Sequence, residues 1–397
     1  MSTTDSQKHG DQQHKRESFE MPENHLDVVV TPGSVDPART ASLRTTLIAV
    51  ISMPVFFLLA FTICYVSAAH APLPHDMALT IAGPASVTEQ LADAINDKAT
   101  GGFDITQTTD AADARDAVAD REAVGAIIVD GEDVTTVVAS GGGRLAVATV
   151  TSVGQQVADS LGGTATVDDV APLPSDDPGG SILFFLLVIC TVGAFLSVTG
   201  ITQAFRGASV KAMVATAFGA AVIVPVVGFA MISVYVDFEV TFGTVAALLG
   251  IGMIYTLAVG LLSTLLNEVV GQASIFAVIL FLIALNFPSS GGSVPESMLP
   301  PFWQVVHNGW IGSGAFEAMR SVVFFDGAGG GRWLIQLFIW LVAVTVLLVV
   351  VTRSKKRKAA AAAASDDTDD SDSVVAAATT TSPASQQVIA TTAGGAS

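Results

Sequence analysis

Long apolar runs and one polar block divide this chain. Leu47–Val66, Ile182–Thr202, Ala212–Val236, Phe242–Leu266, Val269–Phe287 and Trp333–Val351 are almost unbroken apolar stretches. Each has about the 20 residues that a helix needs to cross a hydrocarbon core, so the pattern predicts six transmembrane helices. Between the first two runs the periodicity shortens and alternates. ALTIAG (Ala78–Gly83) reads as a strand, Ser86–Asp97 as a helix with Ser86 as N-cap and Glu89 in the capping-box position, and Phe103–Thr108 as a second strand. An alanine-rich helix follows over Asp110–Glu122. Two strands then turn at Asp130-Gly131, and a long amphipathic helix covers Arg144–Leu161. Strands alternating with helices imply a small α/β layer.

A third pattern lies between the fifth and sixth runs. PPFWQVVHNGWIGSGAFEAMRSVVFFDG, residues 300–327, is too apolar for an exposed loop and too interrupted to cross a membrane. Pro300-Pro301 can open a helix. Phe302, Val305 and Val306 then share a face as far as Gly309. Gly312-Ser313-Gly314 is the expected break, and a second apolar face, Ala315 to Val323, follows with Glu317 and Arg320 off it. Each helix is roughly half the length of a membrane crossing. A re-entrant hairpin lining the outer mouth of the bundle fits this. Two helices lying flat with Trp303 and Trp310 as interface anchors is the alternative. The candidate vestibule residues are His307, Trp310, Glu317 and Arg320. Glu317 and Arg320, three apart on one helix, are expected to face each other or the vestibule rather than lipid.

Composition agrees with the runs: 51% of residues are hydrophobic, 14% charged, and the mean hydropathy is +0.59. The net charge of −18 is concentrated in Asp76–Asp177, which holds 18 acidic and four basic residues. So acidic a domain excludes a nucleic-acid partner. Basic residues at run ends orient the chain. Arg39 and Arg44 precede the first run, Arg206 and Lys211 flank the second-to-third connection, and RSKKRK (Arg353–Lys358) follows the sixth. Both termini are therefore expected in the cytoplasm of a multi-pass plasma-membrane protein, with the α/β domain outside. Ala69-His70-Ala71 has cleavage-site spacing, but the 46 residues before the first run make it an uncleaved signal anchor.

Little in the chain suggests catalysis. Asp110, Asp113, Asp116 and Asp120 form one solvated helix stripe, and Gly141–Gly143 lacks the Lys-Ser/Thr of a phosphate loop. Cys64 and Cys190 lie inside runs and read as small apolar residues. No enzyme activity, metal or cofactor is expected. The runs carry no acidic residue at mid-span, which argues against an autonomous ion-coupled transporter. Gly252, Thr256 and Gly260 fall four apart and predict a close helix-packing face, within one bundle or at a dimer seam.

Six runs, a large outer domain after the first and an interrupted helical segment before the last resemble the type-2 ABC exporter permeases. REAVGAIIVDGEDVTTVVASGGG (Arg121–Gly143) and LPPFWQVVHNGWIGSGAFEAMRSVVFFDG (Leu299–Gly327) resemble, within these, the bacterial phage-infection-protein (Pip) relatives. The resemblance spans about residues 45–355. It implies a half-size permease that pairs with itself or a second permease, sits among lipids, and exports a hydrophobic or amphipathic solute with a separate ATPase subunit. Arg206 and Lys211 would be the cytoplasmic partner contact. The internal connections Ala204–Lys211 and Asn267–Gln272 are short for docking an ATPase. A non-transporting envelope scaffold, secretion-associated protein or surface receptor acting through its ectodomain therefore stands beside the permease. The expected organisation is a disordered tail over 1–46, a span over 47–66, the α/β domain over 67–181, a five-helix membrane domain over 182–351, and a basic stop with a disordered tail over 352–397.

Overall fold

The computed structural model describes residues 37–205 and 207–379. The chain separates into two units, residues 1–51 and 52–397. Among the described residues the first unit holds only the opening turns of helix α1 (Pro37–Ala69); everything below belongs to the second.

The α/β domain is a five-stranded sheet in the order β2-β1-β3-β4-β5, with β1 Met77–Ala82, β2 Phe103–Thr108, β3 Gly125–Asp130, β4 Asp133–Val138 and β5 Ala165–Asp169. β1 runs parallel to β2 and β3. β4 returns antiparallel to β3 through the Asp130-Gly131 turn, with Gly131 at φ 65°, and β5 lies parallel to β4. Period-two alternation sends Met77, Leu79 and Ile81 to one face, with α2 (Ala85–Lys98) and α4 (Arg144–Leu161). Ala82, Ala126 and Ile128 point to the other face, under α3 (Ala111–Ala119). α2 is capped two residues earlier than its capping-box signature predicts. Pro84 is its N-cap and Ser86 lies in the first turn. α3 is capped by the Asp110 carboxylate, which accepts from Ala112 N at 2.8 Å.

Neither face of this sheet is closed by the domain itself. Met298, Leu299 and Trp303 complete the α2/α4 face, and Phe325 completes the α3 face. These four residues lie more than a hundred positions downstream of β5, in the segment leading to the last helix.

Five helices are long and apolar enough to cross a membrane: Leu43–Ala69 within α1, α5 (Ile182–Ala204), α6 (Val210–Ile232), α7 (Phe242–Val270) and Gly331–Ala363 within α12. α12 begins at Gly331 and continues through the alanine run to Thr379. The fifth apolar run is shorter and less regular than the others. α7 ends at Gly271, whose φ of 68° suits a residue without a β-carbon. The following helix, Ser274–Ser289, has a π-helical stretch over Ile279–Ala284. α7 is the hub of the bundle, with α5, α6 and α12 packed around it. Gly252 and Gly260 serve this packing. Gly252 faces Pro225 of α6, and a β-carbon on Gly260 would lie 2.8 Å from Ala217. Thr256 between them is buried and donates to the Gly252 carbonyl at 2.7 Å. The small-residue face is thus occupied inside the bundle.

Candidate functional site

Two short helices fill the space between the bundle and the sheet. α10 runs Pro301–Gly309 with Pro at its start, and α11 runs Ile311–Phe324. The break falls at Trp310 (φ −92°, ψ 152°), not at Gly312-Ser313-Gly314 as the sequence predicts. Those three residues are buried in the first turn of α11, where the glycines permit close approach. A β-carbon on Gly312 would collide with Asn286 Oδ1, and one on Gly314 would lie 3.3 Å from the Trp333 carbonyl.

A helix break inside an apolar bundle leaves carbonyl groups that need donors. Side chains supply them. Trp340 Nε1 donates to the Gly309 carbonyl at 2.8 Å and Ser313 Oγ to the His307 carbonyl, while the Trp310 carbonyl, which accepts from Gly314 N of α11, also receives Gln336 Nε2 at 2.6 Å and Ser313 Oγ. Beside the break, Asn286 Nδ2 donates to Tyr255 Oη at 2.8 Å, and Tyr255 Oη meets Thr191 Oγ1 at 2.6 Å. Tyr255 and Thr191 lie near the middles of α7 and α5. The break therefore sits inside the bundle, beside these hydrogen-bonded side chains and against the opening turns of α12. Trp310 packs there, 6.1 Å from Phe281 and 5.3 Å from Trp340 between ring centroids.

The charged cluster lies further along α11. Glu317 and Arg320 are both buried, and Arg320 Nη1 donates to Glu317 Oε1 at 2.7 Å. Arg320 Nη2 donates to the Gly291 carbonyl at 3.0 Å. A third member comes from the α/β domain: Arg121 Nη2 donates to Glu317 Oε2 at 2.6 Å, and its Nη1 reaches the Glu317 carbonyl and Ser321 Oγ. Burial alone would raise the Glu317 carboxyl. Arg320 and then Arg121 outweigh it and hold the group at about 2. Gly291, at φ 87°, lets the carboxylate approach its backbone, since a β-carbon there would lie 2.6 Å from Glu317 Oε1.

A cleft of about 430 Å³ opens over this cluster, between the α3 side of the sheet and the loop before α10. Its lining includes the buried Glu317, Arg320 and Trp333, the half-buried Arg121 and Glu296, and the exposed Asp76, Glu122 and Arg332. Arg332 stacks 4.0 Å above the Trp333 ring and meets Glu296 Oε2 at 3.4 Å.

Of the four vestibule candidates, then, Glu317 and Arg320 line the cleft together. Trp310 lies in the bundle. His307 is buried behind the cleft wall, its Nδ1 2.7 Å from the Ser289 carbonyl and its Nε2 3.6 Å from Glu296 Oε2. Burial holds the imidazole pKa below its ordinary range against the opposing pull of Glu317 and Glu296. Lys211 is exposed at the start of α6, far along the chain from this cluster, and Arg206 lies outside the described residues. Sequence reasoning passed over Arg121, Gly291, Glu296 and the Thr191–Tyr255–Asn286 chain. Arg121 had one available signal, as one of four basic residues in an otherwise acidic domain. Among the described residues no group of His, Cys, Asp or Glu is arranged to hold a metal ion. Comparison of the chain with protein-family models, curated proteins and solved structures finds no match to any of them.

Proposed function

We propose that this chain is a half-size membrane permease of the ABC-exporter type, moving a hydrophobic or amphipathic solute outward. In this reading Ser274–Ser289 is the fifth of six crossings, both termini are cytoplasmic, and the α/β domain lies outside the plasma membrane. The chain works as one of a pair, as a homo- or heterodimer, with a separate ATPase. The observation that carries the proposal is the α10–α11 break: an interrupted helix pair enters the bundle, the His307 and Gly309 carbonyls at its break accept from side chains, and a charged cleft stands over it. Non-helical backbone in such a place is tolerated where it is buried in protein or lines a water-filled path. A tightly clamped outer domain above it suits a gate.

A second reading keeps the architecture and drops the transport. The connections at residues 205–209 and 271–273 are short, leaving little surface for a motor, which favours an envelope scaffold, secretion-associated protein or receptor. Purification from native membranes separates the two. The permease reading expects a nucleotide-binding subunit to co-purify in stoichiometric amount, and deletion of the chain to raise cellular retention of amphipathic dyes. A preparation free of any ATPase, with dye retention unchanged, favours the scaffold. Topology is read separately in a variant lacking Cys64 and Cys190. Cysteines replacing Glu132 and Asn308 should react with an impermeant thiol reagent on intact cells, and one replacing Lys358 should not. The reverse pattern overturns the orientation.

A further inference from the structure

Arg121 differs from its two partners in origin. Glu317 and Arg320 share α11 and pair whatever the α/β domain does. Arg121 stands on the connection between α3 and β3 and reaches in from a left-handed backbone, φ 64°, which side chains other than glycine rarely adopt. Its removal leaves no uncompensated charge, because Glu317 still has Arg320. With Arg121 present the cluster carries two cations on one carboxylate.

What the guanidinium of Arg121 meets is a complete cation receptor built by α11 and the turn after it. Glu317 Oε2 accepts at 2.6 Å, the Glu317 carbonyl at 3.2 Å, Ser321 Oγ is the third acceptor, and the Phe325 ring lies 5.0 Å from the guanidinium carbon. Two nitrogens of one planar group are bound at once, which is guanidinium geometry rather than that of a point charge. Arg121 is still partly exposed, with 17% of its side chain accessible, while Glu317 behind it is 3% accessible. The receptor opens onto the 430 Å³ cleft, which is large enough for a small organic molecule. With no three-donor group among the described residues, the site does not suit a metal ion.

We infer that this receptor binds the guanidinium or amidinium group of a small organic cation entering through the cleft, and that Arg121 fills it as an intramolecular plug. Ligand and plug compete for the same carboxylate oxygen, so binding releases the α/β domain's charged tie to α11 while the Glu317–Arg320 pair persists. The claim concerns binding and stands apart from transport.

The test uses the purified full-length chain in detergent and ethylguanidinium as the probe. Titration calorimetry and the thermal midpoint are read for wild type and Arg121→Ala. Arg121→Ala should bind ethylguanidinium saturably and regain most of its lost midpoint. Wild type should bind about tenfold or more weakly, because its competent state is largely plugged. Adding Glu317→Gln to Arg121→Ala should abolish binding, and adding Phe325→Leu should weaken it. Ethylurea, a neutral isostere, should act on none of them. If Arg121→Ala does not fold alone, its recovery as monodisperse protein when extracted in ethylguanidinium but not in ethylurea counts as support. The inference fails if ethylguanidinium affects Arg121→Ala no more than wild type, if Glu317→Gln leaves binding intact, if ethylurea substitutes for it, or if extraction in ethylguanidinium recovers nothing.

Discussion

Removing the Glu317 carboxylate tests the cluster most directly. Glu317→Ala leaves Arg320 buried, its side chain only 7% accessible, with the Gly291 carbonyl as its remaining hydrogen-bond acceptor beside the Phe316 ring, and leaves Arg121 facing it. Breaking a buried ion pair from one side typically costs about 3–5 kcal/mol. Arg121→Ala removes a partly exposed cation and leaves the inner pair whole, so about 1.5–3 kcal/mol, the value of charge-assisted hydrogen bonds, is expected. Glu317→Ala should therefore cost more than Arg121→Ala. The double variant Glu317→Ala/Arg320→Ala should be milder than the sum of its singles by at least about 2 kcal/mol, within the range for directly contacting residues. A charge swap, Glu317→Arg with Arg320→Glu, would seem from α11 alone to restore the pair. The structure predicts otherwise, because the swap puts an arginine against Arg121. Recovery should appear only when Arg121→Ala is added. The assay is the thermal midpoint of the full chain in detergent, where the entropy of unfolding of 397 residues gives roughly 1.2 °C per kcal/mol, so Glu317→Ala should fall by about 4–6 °C. Equal midpoints for Glu317→Ala and Arg121→Ala, or full recovery by the swap with Arg121 intact, refute the three-way coupling.

Three further outcomes follow from the same geometry. His307 resists protonation when folded, while the unfolded chain takes the proton near pH 6.5. Stability is whole above that pH and should fall below it by up to about 1.4 kcal/mol per pH unit until the folded pKa is reached; His307→Asn, measured by midpoint against pH, should flatten that slope. Gly312→Ala places a β-carbon on Asn286 Oδ1 and should cost about 1–3 kcal/mol as an overpacking change, partly relieved in Gly312→Ala/Asn286→Ala; a silent Gly312→Ala would mean that α11 does not approach Asn286 as described. An excised α/β fragment, Ala78–Val170, loses Leu299 and Trp303 from one face and Phe325 from the other. It should therefore bind a hydrophobic dye and melt broadly, whereas a sharp cooperative melt without dye binding would make those contacts dispensable.

Much of the architecture was readable because its signals are local. Five of the six apolar runs became helices of spanning length, since a run of that kind has few other ways to satisfy its backbone in an apolar setting. The Asp130-Gly131 turn and the alternation of β1 and β3 are likewise short-range facts. The errors arose where tertiary contact overrides propensity. Gly312-Ser313-Gly314 looks like a break because glycine disfavours helix, yet those glycines sit in α11 to admit Asn286 and the Trp333 carbonyl. Ser86 has a capping signature that Pro84 pre-empts. In the site, the Glu317–Arg320 pair follows from helical spacing, since residues three apart on a helix are neighbours. Arg121 does not, because its meeting with Glu317 joins positions 196 residues apart. Periodicity carries no record of such a contact. Gly291 is silent for the same reason: its role is defined by a carboxylate that the chain places beside it from α11.

The open faces of the sheet also set a timetable. The residues that close them are made long after the strands they cover. At the 5–20 residues per second of protein synthesis, the stretch from β4 to Phe325 takes roughly 10–40 s to appear. During that interval the strands exist with Ile127, Val129 and Ala126 lacking part of their final cover. The nascent domain must wait, partly assembled, for residues 298–325, and a ribosome that stalls before Leu299 leaves behind an adhesive intermediate. Quality control by proteases or chaperones would find its target in that window, and the chain's maturation would be governed by its slowest, C-terminal arrivals.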